Sequence, residues 1–102
     1  LVPGHEIVGT VTARGAGVPA ALQGARLGVP WLGGACGVCR FCADKRENLC
    51  DTPVFTGYTV NGGFAEYTVA NADFCIPIPE DRGAPQTAPF LCAGLIGHRA
   101  YD

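Results

Sequence analysis

Four of the six cysteines fall within fifteen residues, as Cys36, Cys39, Cys42 and Cys50, spaced Cys-x2-Cys-x2-Cys-x7-Cys. Thiols two residues apart on a turn can converge on a single ion, whereas disulfides between such close neighbours are strained or redox-active. A secreted disulfide framework also spreads its cysteines along the chain. The bunching therefore points to metal. A closed tetrahedron of four thiolates suits structural zinc. The run also resembles the start of a bacterial ferredoxin motif, but there the fourth cysteine follows after three residues and precedes Pro. Here the gap is seven, Asp51 follows Cys50, and Asp44, Lys45, Arg46 and Glu47 fill the gap with charge. Zinc is the favoured occupant on this pattern, with an iron–sulfur cluster or a bare redox thiol group as the alternatives. A closed four-cysteine site holds a loop in place and performs no chemistry of its own.

Two further features carry reactive side chains. His5 stands in Gly4-His5-Glu6 with a carboxylate beside it, and Cys92 stands in Pro89-Phe-Leu-Cys-Ala-Gly94 at the entry to a helical stretch. Taken singly, His5 reads as a hydrogen-bonded surface residue and Cys92 as a small buried hydrophobe. Taken together, they are the ligand types of a catalytic zinc, which uses three protein ligands and keeps one position open.

These groups must be held by a mainly β framework. Residues 6–13 alternate β-branched with small or polar residues, as a half-buried strand does, and residues 26–31 offer a second strand ended by a Gly33-Gly34 turn. Residues 58–69 read as a hairpin around Asn61-Gly62. Residues 72–79 predict an edge strand, since Pro77 and Pro79 cannot donate to a ladder. From Ala84 the composition turns helical, and residues 91–102 predict a closing helix. Fifteen glycines and eight prolines fit many short strands and tight corners, as in a small barrel. Cys75, in the edge strand, reads as packing.

Composition bounds the function. The 102 residues are 48% hydrophobic and 16% charged, with a net charge of −2. That balance argues for one folded domain and against both a disordered chain and a nucleic-acid binder, which would want a basic face. No apolar run approaches a membrane span. The chain starts without Met and stops in mid-pattern, so it is expected to be a piece of a longer protein, truncated at its N-terminus.

Across nearly its whole length the sequence resembles the zinc-dependent medium-chain alcohol dehydrogenases. The resemblance is carried in order by Pro3-Gly4-His5-Glu6, Val29-Pro30-Trp31-Leu32, the cysteine run, Gly57-Tyr58, Gly62-Gly63-Phe64-Ala65-Glu66-Tyr67, Ile78-Pro79 and Pro89-Phe90-Leu91-Cys92-Ala93-Gly94. It implies that residues 1–102 are a GroES-like catalytic domain, a partial barrel bearing a structural zinc lobe at 33–53, without the Rossmann cofactor domain. It implies Cys36, Cys39, Cys42 and Cys50 as structural zinc ligands. His5 and Cys92 match two ligands of the catalytic zinc, whose third ligand lies outside this chain. Glu6 matches the carboxylate that can approach that metal, and Trp31 a residue lining the substrate pocket. A Thr common in the family near the nicotinamide is replaced here by Ile96, and a nearby Tyr by His98. The implied parent oxidises small alcohols to aldehydes or ketones with NAD or NADP, as a cytoplasmic homo-oligomer, dimer or tetramer. The alternative is a non-enzymatic module in which the zinc-stapled lobe serves protein contact.

Overall fold

The computed structural model describes residues 1–79, 81 and 83–101. Strand β1 (Ile7–Thr10) pairs antiparallel with β2 (Arg26–Val29), placing Ile7 opposite Val29 and Thr10 opposite Arg26. The ladder continues past the strand ends, where the Val11 N–H donates to the Ala25 carbonyl at 2.9 Å. A short β3 (Leu32–Gly34), a one-turn helix α1 (Arg40–Ala43) and β4 (Val54–Phe55) follow, and β3 and β4 pair antiparallel across an irregular register. β5 (Ile76–Pro77) returns to the free side of β2, giving a three-stranded sheet ordered β1-β2-β5. Helices α2 (Ala84–Thr87) and α3 (Ala93–Tyr101) close the chain, joined by a 3₁₀ segment at Ala88–Leu91. The fold is mostly short strands with a C-terminal helix, as the patterning predicts.

The core is small. Leu27 and Leu91 are buried at 9% and 4% exposure, and Leu91 reaches the sheet because Gly28 has no side chain. A Cβ at Gly28 would stand 2.8 Å from Leu91 Cδ2 and 3.1 Å from Ile78 Cδ1. Pro30 ends the β2 ladder, so the strand expected over residues 26–31 stops at Val29. The expected strand over 6–13 is observed in its first half. That over 72–79 contracts to β5, because Asn71 caps a 3₁₀ turn at Ala72–Phe74 by accepting from the Asp73 N–H at 3.0 Å. Pro77 does lie on an edge strand. The closing helix begins at Ala93, after the 3₁₀ segment, and Asp102 lies outside the described residues.

Two expectations are corrected. Gly33-Gly34 is no turn: both residues lie in β3, where the missing side chains let Thr56 and Val54 pack close. Nor do residues 58–69 form a hairpin. The stretch around Asn61-Gly62 binds the chain start instead: Asn61 Oδ1 accepts from the Val2 N–H at 2.8 Å, Gly62 N–H donates to Val2 O at 2.6 Å, and Phe64 N–H donates to Pro3 O at 3.0 Å. Pairing with a distant segment has displaced the local turn.

Candidate metal and catalytic sites

The cysteine lobe hangs from the β3–β4 pair. Cys39 lies in extended conformation before α1, so Cys39 and Cys42 flank the first turn of the helix. The helix then stops in a Schellman arrangement. Arg46 N–H donates to Phe41 O at 2.7 Å and Lys45 N–H to Cys42 O at 3.1 Å, with Lys45 at φ 58° where glycine is usual. Arg40 and Arg46 both lie over the Phe41 ring, at 4.6 and 5.5 Å from its centroid, and Arg46 also pairs with Asp44 at 2.9 Å. This folds the charged gap back on itself and returns the chain to Cys50.

The four sulfurs come together. The Sγ atoms of Cys36, Cys39, Cys42 and Cys50 all lie within 4.8 Å of one another, and those of Cys36 and Cys42 are 3.9 Å apart. Zn–S bonds of about 2.3 Å in a tetrahedron place sulfurs roughly 3.8 Å apart, so the group fits one zinc ion. An iron–sulfur cluster would insert its own atoms between the thiolates and hold them further apart. Backbone donors surround the sulfurs. Val38 and Cys39 N–H groups donate to Cys36 Sγ at 3.4 and 3.3 Å, and Cys36 and Thr52 N–H groups to Cys50 Sγ at 3.3 and 3.4 Å. The bonds from Val38 and Cys39 lower the Cys36 thiol to about 6. Cys39 is lowered by its bond from Asp51. Cys42 is raised to about 12, chiefly by desolvation, and neighbouring thiols add to it. The set is one that stabilises thiolate at two positions and holds a proton at a third until a cation replaces it.

The second site is built at the start of β1. Gly4, at φ 103°, turns the chain into the strand, and its carbonyl sits against Gly57 and Gly62 so closely that a Cβ at Gly62 would overlap it. His5 follows this packed glycine cluster. Sequence reasoning missed these glycines as supports of His5; the signal was a glycine pair that fits a hairpin turn equally well. Glu6, next in line, crosses to the far end of the chain: its Oε2 accepts from the Ala93 N–H at 3.3 Å. The residues His5 and Glu6, which lead into β1, thus meet the segment carrying Cys92, 87 residues from Glu6 to Ala93 along the sequence.

Trp31 stacks on Phe55 with centroids 6.0 Å apart, and Phe55 on Tyr58 at 6.3 Å, forming an aromatic row beside β3 and β4. Ile96 is 54% exposed on α3, its N–H bonded to the Cys92 carbonyl at 2.9 Å. His98 is exposed on the same helix. Cys75 is half-buried, donates to the Asn71 carbonyl at 3.4 Å, and is pushed up by burial. Two open grooves of about 730 Å³ flank the extended stretch 67–70, and neither is lined by His5, Glu6, Trp31 or Cys92. Among the described residues no helix is long and apolar enough to cross a membrane.

Comparison with known proteins fits this geometry. An alcohol dehydrogenase of Moraxella sp. (strain TAE123) is 49% identical over 99 residues, covering 97% of this chain and 29% of the relative. A cinnamyl alcohol dehydrogenase structure from Sorghum bicolor superposes with a TM-score of 0.83 at 38% identity, over 92% of this chain and 29% of that one. The Helicobacter pylori CAD structure, complexed with NADP(H), gives 0.87 at 28% identity, over 98% and 31%. The chain spans about 30% of the length of the curated relatives it matches. The family described as the alcohol dehydrogenase GroES-like domain matches residues 1–80, more than half of the sequence, and the chain belongs to that family.

Proposed function

We propose that the chain is part of a zinc-dependent alcohol dehydrogenase, with residues 1–102 forming one GroES-like domain and 33–53 its structural zinc lobe. The observation that carries the catalytic reading is the Glu6–Ala93 hydrogen bond, which sets the Gly4-His5-Glu6 segment against the segment bearing Cys92. His5 and Cys92 would supply two ligands of a catalytic zinc, with Glu6 beside them, and a third ligand would come from elsewhere in the parent protein. When bound, zinc supplies Lewis-acid polarisation of an alcohol oxygen and NAD or NADP accepts hydride.

This chain's own residues would position and exclude. Trp31, its ring held against Phe55, would narrow the substrate pocket and favour small alcohols or aldehydes. Ile96 would face the nicotinamide with an apolar surface and position it by packing, since its side chain donates no hydrogen bond. The Sorghum cinnamyl alcohol dehydrogenase supports an alcohol or aldehyde substrate, and the Helicobacter complex with NADP(H) supports a nicotinamide partner. A cytoplasmic, homo-oligomeric parent belongs to the same proposal.

Elemental analysis of the reduced chain tests the metal half: one zinc per chain without iron or sulfide is expected, and iron with inorganic sulfide overturns it. Exchanging His5→Ala or Cys92→Ser in the longer protein tests the catalytic half. Alcohol-dependent NAD(P)H formation should fall at least a hundredfold, and activity within a few-fold of the parent's would sink the reading.

A further inference from the structure

Cys92 sits at a break in the chain. It ends the 3₁₀ segment Ala88–Leu91 with φ −148° and ψ −75°, and α3 starts at the next residue. A residue at such a junction belongs to neither helix, so its place is set by what anchors the residues on either side. Both are anchored. Leu91 is buried on the sheet against Gly28. Ala93, whose N–H is one of the donors a helix start leaves without an intrahelical partner, gives it to Glu6 Oε2 at 3.3 Å. A carboxylate there also faces the positive end of the α3 dipole, which favours the bond.

We infer that Glu6 is a positioning residue whose carboxylate, with Leu91 seated on Gly28, clamps the Cys92 segment to the His5-Glu6 segment independently of metal. Leu91 fixes the segment to β2, and Glu6, directly after His5, ties it to the entry of β1, so the spacing between His5 and Cys92 is set by the folded chain. This inference rests on the proposed pairing of His5 with Cys92. It differs from a role for Glu6 as a metal neighbour: a move of this oxygen toward an ion would release the Ala93 N–H, so the two roles compete for one carboxylate.

The test compares the wild-type chain with Glu6→Gln, which keeps an acceptor oxygen but no charge, and Glu6→Ala, which keeps neither. Amide exchange is read by NMR in the metal-free, reduced chain. Ala93 should be protected in the wild type, retain protection within about threefold in Glu6→Gln, and exchange roughly tenfold faster in Glu6→Ala. Leu27 and Gly28 amides should be unchanged in all three, reporting an intact sheet. Zinc is then titrated while the His5 imidazole resonances are followed. The zinc concentration at half-change should rise about tenfold in Glu6→Ala and within threefold in Glu6→Gln, because positioning needs the acceptor and metal contact needs the charge. Unchanged Ala93 exchange in Glu6→Ala with the sheet intact overturns the clamp, as does Glu6→Gln failing as badly as Glu6→Ala. If His5 ignores zinc in every variant while Ala93 protection still follows Glu6, the clamp stands and the catalytic metal reading falls.

Discussion

At the scale of single residues, the thiols of the lobe are not equivalent. Cys36 is held at about 6 by N–H donors from Val38 and Cys39, against an ordinary 9.0, whereas Cys42 is raised to about 12. The sign of the linked stability follows. A thiol depressed in the fold adds stability that is complete above the ordinary thiol range and is lost as pH falls through about 6. Glycines supply the contrast at the other site. Gly62→Ala would drive a methyl into the Gly4 carbonyl beside His5, while Gly9→Ala in β1 meets nothing within 4 Å. We expect the first to cost about 1–3 kcal/mol and the second to change stability by less than about 0.5 kcal/mol, as denaturant midpoints would report. Equal midpoints would remove the glycine cluster as the support of His5.

At the scale of elements, what the sequence disclosed depended on whether a signal was local. The cysteine run, the alternation of β1 and the prolines of the edge strand are all read within a dozen residues, and each led to the observed element. Asn61-Gly62 misled because its local preference for a turn lost to hydrogen bonds with Val2, Pro3 and Gly4, nearly sixty residues away. No pattern in one chain announces such a pairing. For the same reason the convergence of Glu6 on Ala93 was legible only through family resemblance, never through spacing. The joint that secures this convergence is the Leu91 side chain on Gly28. Leu91→Ala should cost about 2–5 kcal/mol and loosen the 3₁₀ segment ahead of Cys92. Amide exchange at Cys92 and Ile96, whose N–H groups bond to Pro89 and Cys92 carbonyls, should accelerate more than exchange in the lobe. Equal acceleration everywhere would mean that Leu91 serves global stability alone.

At the scale of the whole molecule, stability is divided between two weakly coupled parts. Among the described residues, the sheet and closing helices share a core whose buried hydrophobic side chains are Leu27 and Leu91, while Cys50, also buried, belongs to the lobe. Large apolar side chains remain on the surface, including Phe64 at 79%, Tyr67 at 75%, Val69 at 93% and Phe90 at 64% exposure. The lobe reaches the rest through the short β3–β4 pair, and its own interior is four sulfurs and their N–H donors. Without a cation those thiols have no attraction for one another, and the lobe has few other buried contacts to hold it. Chelating the metal should therefore melt the lobe alone. Amides of Ala43, Asp44 and Lys45, bonded within α1 and its Schellman cap, should lose protection by at least about a hundredfold at saturating chelator, the factor that corresponds to about 2.7 kcal/mol of ligand-linked stability. Gly9 and Leu27, in the β1–β2 ladder, should keep theirs within a few-fold. A uniform loss across both parts would show that the lobe stabilises the sheet directly, and the β3–β4 pair would then have to transmit far more than its few bonds provide.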